Sequence, residues 1–131
     1  MEHPQMFDDA DPVLARVREI CLAMPQAQEK ISHGRPNFFT RKVFASYGGV
    51  VKGDHHSDTH AASVLILPDA DHREALLAEP HTYLPAYVGV SGWVGVDLSD
   101  DVDWDEIAEL VDESYRNTAP VTMIRQLDDR G

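Results

Sequence analysis

Residues 29–67 read EKISHGRPNFFTRKVFASYGGVVKGDHHSDTHAASVLIL, and this stretch decides the fold. Its apolar and aromatic residues come in short runs broken at Gly34, Pro36, Gly48, Gly49 and Gly53. That is the texture of strands joined by turns. Residues 30–33 read as a first strand, stopped at Gly34-Arg35-Pro36. Residues 37–39 and 42–47 pair as a hairpin turning near Thr40 and Arg41. Gly48-Gly49 turns again into residues 50–52, and 54–60 is a polar loop. The unbroken apolar run 62–67 is a central strand covered on both faces.

Helices bracket this stretch. Before it, residues 12–24 carry an apolar stripe of Val13, Leu14, Val17, Ile20, Cys21 and Met24. Asp11 is the N-cap, Pro12 suits the first helical position, and Pro25 ends the helix. After it, Asp71 and Glu74 form a capping-box pair for a short helix stopped at Pro80. Residues 83–90 are ambiguous because Pro85 interrupts them. Residues 92–98 alternate, with Val94, Val96 and Leu98 on one side and Trp93, Gly95 and Asp97 on the other. A last helix spans 104–118, capped by Asp103 and Glu106, with Trp104, Ile107, Leu110, Val111, Tyr115 and Thr118 as its stripe.

This order predicts an α+β fold: an antiparallel β-sheet with two long helices, N- and C-terminal, packed on one face, plus a short middle helix. The 131 residues suit one domain over 1–120, with 121–131 as a loose tail. A hydrophobic content of 43% is enough for a core. One cysteine excludes a disulfide framework and a multi-cysteine zinc site. The chain shows no membrane-length apolar run and no export signal, so a cytoplasmic location and no membrane partner are expected.

The net charge of −12 argues against nucleic acid and anionic membranes, yet it is unevenly spread. Residues 30–53 hold Lys30, Arg35, Arg41, Lys42 and Lys52 and no Asp or Glu. The same window holds His33, Phe38, Phe39, Phe44 and Tyr47. Cations interleaved with aromatics can hold phosphates and stack bases, or they can be a solvated sheet face above core aromatics. The opposite pole, residues 97–113, has nine carboxylates and no Lys or Arg. It serves solubility or attracts a basic protein partner. Trp93, on the face turned from the helices with Gly95 beside it, is either a covered residue or a platform for a small ligand or a second subunit.

Catalytic signals are missing. There is no G-x-S-x-G elbow, P-loop or dinucleotide fingerprint, so no enzyme and no cofactor are expected. Cys21 falls on an apolar stripe and should be inert. The loop Asp54-His55-His56-Ser57-Asp58-Thr59-His60 has metal-ligand residue types, but nothing in it fixes a geometry, and no metal is assigned there.

Several segments together resemble the MmcQ/YjbR-like family: Ser32-His33-Gly34-Arg35-Pro36 with Lys42-Val43-Phe44-Ala45, then Pro85-Ala86-Tyr87-Val88-Gly89 with Gly92-Trp93-Val94, and Trp104 with Ser114-Tyr115. The resemblance implies a frataxin-like (CyaY-type) fold and DNA binding through β-hairpins. Carried onto this chain, it places contacts at His33, Arg35, Arg41, Lys42 and Lys52, and the basic window adds Lys30. A monomer or weak homodimer is the expected state.

Overall fold

The computed structural model describes residues 5–54 and 57–130. Helix α1 (Pro12–Leu22) starts where Asp11 accepts the Val13 amide and Pro12 needs no partner for a missing N–H. Strands β1 (Gln28–Ser32), β2 (Arg35–Phe39), β3 (Val43–Tyr47) and β4 (Ser63–Ile66) follow. Helix α2 (Ala70–Leu77), the short strand β5 (Thr82–Tyr83), strand β6 (Val94–Asp97), helix α3 (Trp104–Thr118) and helix α4 (Val121–Asp128) complete the chain. The six strands form one antiparallel sheet in the order β1-β2-β3-β4-β6-β5. The α+β reading therefore holds as a six-stranded antiparallel sheet with four helices.

The first strand does stop before Gly34, but Arg35 and Pro36, expected to be part of the break, already belong to β2. His33 and Gly34 both take positive φ, 54° and 81°, and form a two-residue loop closed by the Ser32–Arg35 pair. Paired positive φ values match the right-handed strand twist, so the chain re-enters the sheet at once. Pro36 fits because the β2–β3 ladder begins only at Asn37.

Between β2 and β3 the register slips: Phe38 pairs with Ala45, but Phe39 pairs with Val43. The extra residue, Phe44, is thereby turned into the core. It is fully buried, edge-on to Tyr115 with ring centres 5.3 Å apart, and its carbonyl accepts the Ser114 hydroxyl. Phe38, Ala45, Tyr47, Val64, Ile66, Val94 and Val96 from the sheet meet Leu14, Val17 and Cys21 of α1 and Ile107, Leu110, Val111 and Tyr115 of α3. Each such large side chain contributes about 1.5–3 kcal/mol when buried.

Two local expectations change. Asp71 and Glu74 do not cap α2; its N-cap is Asp69, whose side chain makes no cap bond. Glu113 of α3 holds this end instead, accepting the Asp69 amide at 2.7 Å and bonding His72 Nδ1 at 2.8 Å. The tail expected to be loose after Pro120 is α4, which rests Met123, Ile124 and Leu127 on the core and is pinned by Arg116 and Asp128 at 2.9 Å. Among the described residues no helix is long and apolar enough to cross a membrane.

Candidate functional site

The hairpins distribute the basic residues unequally. Lys30 is exposed on β1, and its Nζ sits 4.7 Å from the centre of the Phe39 ring. Arg41 and Lys42 are exposed in the turn that follows Phe39. Lys30, Phe39, Arg41 and Lys42 therefore share one corner of the sheet. His33 and Arg35 lie at the other end of β2, about 13 Å away along the strand at roughly 3.3 Å per residue. Lys52 is exposed in the loop after β3, beyond Gly48. Among the described residues none of Lys30, Arg35, Arg41, Lys42 and Lys52 forms an ion pair, whereas Arg18 and Arg116 do.

Arg35 differs from the rest of this set in its surroundings. It is half-buried against Gly48, where a Cβ would stand 2.3 Å from its Nη1. Burial lowers its pKa, partly countered by the nearby Tyr83 hydroxyl. This guanidinium is packed into the sheet end and is poorly placed to follow a polyanion.

Next to it lies a polar cluster that sequence reasoning did not find. The Tyr83 ring occupies the space over Gly95, where a Cβ would approach a ring carbon to 2.3 Å. The space beside Gly95 thus belongs to Tyr83, not to Trp93, which is half-buried just before β6. His60 stacks on Tyr83 with ring centres 3.8 Å apart, and its Nδ1 is 2.7 Å from Asp97 Oδ1. The Ser63 hydroxyl donates to the His60 carbonyl at 2.7 Å, so Tyr83 must be the donor in the 2.7 Å Tyr83–Ser63 bond. Burial pushes the Tyr83 hydroxyl up to about 12.

A serine, a histidine and an aspartate meet here without forming a triad. Ser63 is fully buried and its proton goes to the backbone carbonyl of His60, so the imidazole is not positioned to take it. Cys21 is buried too, with its thiol pushed up by burial. Of the acidic pole on α3, Asp112 is bound to Arg116 and Glu113 to α2, which leaves Asp105 and Glu109 exposed. In the histidine loop, His55 and His56 lie outside the described residues; His60 is taken up by Asp97 and Tyr83.

A sequence model of the YjbR family matches residues 22–117. The chain belongs to the YjbR family. The matched segment contains all six strands, the Lys30–Lys42 corner and the Tyr83–His60–Asp97 cluster of this YjbR protein. Its fold is similar to that of the Deinococcus radiodurans protein DR2400, described as having a DUF419 domain. The TM-score is 0.60 at 21% identity, covering 78% of this chain and 75% of that one. At that identity the likeness is one of fold. No curated protein matches the chain significantly.

Proposed function

We propose that this YjbR protein is a non-enzymatic binding domain that holds the phosphate backbone of DNA at the corner built from Lys30, Phe39, Arg41 and Lys42. What supports this reading is that three exposed cations and an aromatic ring meet at one hairpin end, with no carboxylate among the described residues paired to any of them, in a chain of −12. Lys30, Arg41 and Lys42 take the phosphates, and the Phe39 ring, with the Lys30 ammonium over it, stands among them. The remaining acidity slows the approach of a polyanion, so binding is weak and favoured by low salt. We also read the sheet, backed by α1 and α3, as an arrangement of the frataxin type.

The small number of cations at this corner sets the expected salt dependence. Three phosphate contacts give a slope of about −2.7 against log salt on duplex DNA, an affinity loss of roughly 40-fold between 50 and 200 mM. Fluorescence anisotropy with labelled duplex and single-stranded oligonucleotides reads this directly. Affinity that ignores salt, or that survives Ala at Lys30, Arg41 and Lys42 together, rejects the proposal.

A further inference from the structure

We propose that Glu79, His81 and Glu106 form a binding site for one divalent first-row transition-metal ion. One ligand atom from each side chain lies within 4.8 Å of the other two. An ion bonded at about 2.0–2.2 Å closes such a triangle with small side-chain rotations. His81 Nε2 and Glu79 Oε2 are already 3.2 Å apart, close to the spacing of two ligands on one ion.

The backbone around these residues is tied down from several directions. Glu79 and His81 flank Pro80 between α2 and β5. The Thr82 hydroxyl bonds the Leu76 carbonyl at 2.7 Å, and the Thr82 amide bonds the Glu79 carbonyl at 3.3 Å. The His81 carbonyl accepts the Asp97 amide at 2.8 Å, fixing the turn to β6. Glu106 belongs to the first turn of α3, where its amide bonds the Asp103 carboxylate. Two elements far apart in sequence thus present three ligands from anchored positions, which lowers the ordering cost of taking up an ion.

A cavity of about 360 Å³ opens beside them, with His81 and Glu106 in its wall together with Asp97, Asp101 and Asp103. No Lys or Arg lines it. Several carboxylates around one concavity repel each other, and a bound dication offsets that repulsion. The donor set selects the class of ion. One imidazole nitrogen with two carboxylate oxygens suits zinc, manganese or ferrous iron; magnesium and calcium prefer oxygen alone, and no thiolate is present for copper(I). The cavity side leaves room for water or a small ligand on the remaining coordination positions.

The test uses the purified, untagged full chain, titrated with Zn²⁺ by calorimetry and with Co²⁺ by visible absorption. One ion per chain is expected, with affinity falling at least tenfold in His81→Asn and in Glu106→Gln while the circular dichroism stays unchanged. Glu79→Gln, at a more open position, gives the same loss if His81→Asn fails to fold. Replacing His55 and His56 by Gln leaves the stoichiometry intact. No uptake of either ion, uptake that survives the His81→Asn/Glu106→Gln double variant, or uptake lost with His55 and His56 overturns the site. Ca²⁺ binding as tight as Zn²⁺ overturns the role of the imidazole. These residues are separate from the Lys30–Lys42 corner, so this proposal stands or falls apart from DNA binding.

Discussion

The Tyr47 hydroxyl donates a 2.6 Å hydrogen bond to Asp11 Oδ2, while Oδ1 of the same carboxylate caps α1. One side chain thus starts the first helix and ties it to the third strand. The bond is partly buried, with Tyr47 2% exposed, and burial together with this carboxylate raises the Tyr47 pKa. Tyr47→Phe should cost about 2 kcal/mol, the range for a hydrogen bond to a charged group. Asp11→Ala should cost more, because it removes the cap and leaves the buried hydroxyl without its acceptor. Urea denaturation of both variants and the double variant checks this; a double-variant loss equal to the sum of the singles refutes the coupling.

Gly95 exists to admit Tyr83. A Cβ at 95 would lie 2.3 Å from the ring, and the ring is held from the other side by the stacked His60. Gly95→Ala should therefore destabilise by about 1–3 kcal/mol through overpacking. Most of that loss should vanish in a Tyr83→Ala background, where the methyl group has room. Equal penalties in both backgrounds would falsify the steric account.

Alkaline pH should weaken the fold through the same residue. An unfolded tyrosine ionises near pH 10, but burial keeps folded Tyr83 protonated until about 12. The unfolded chain releases the Tyr83 proton first, so the Tyr83 contribution is complete below pH 10 and declines as pH rises toward 12. The Tyr83 share is about 2 kcal/mol. Tyr47 and Cys21, raised in the same direction, steepen the decline. Urea midpoints from pH 8 to 11.5 should fall for the natural chain and fall less for Tyr83→Phe.

The basic residues should divide into two functional groups. Substituting Ala at Lys30, Arg41 or Lys42 should each reduce the duplex salt slope by about 0.9. Arg35→Met should leave the slope unchanged, because its guanidinium packs against Gly48 at the other end of β2. A slope change at Arg35 matching those at the corner would show that both hairpin ends touch the polyanion.

Much of this architecture is legible locally. Helix α3 runs from Trp104 to Thr118 as its cap and stripe indicate, since Asp103 accepts the Asp105 and Glu106 amides a few residues away. The apolar run at 62–67 is the central β4, with all four strand residues buried. Less legible was the loop at His33 and Gly34, because positive φ at a histidine leaves no compositional mark. Helix α4 was hidden for another reason. It is short, buries no residue fully, and is held by Arg116 and the core more than by its own propensity.

The site was less visible than the fold. Tyr83, His60 and Asp97 are ordinary residues until β4, β5 and β6 lie side by side, and Glu79 meets Glu106 only across α2, β5 and α3. Periodicity, caps and charge composition act over a few residues, and they alone determined α1, α2 and α3, most of the strands and the existence of a basic window in an acidic chain. Strand register and packing decided the rest. A five-residue strand carries its ends far apart, so neighbours in sequence such as Arg35 and Arg41 separate, while sheet pairing joins residues dozens of positions apart.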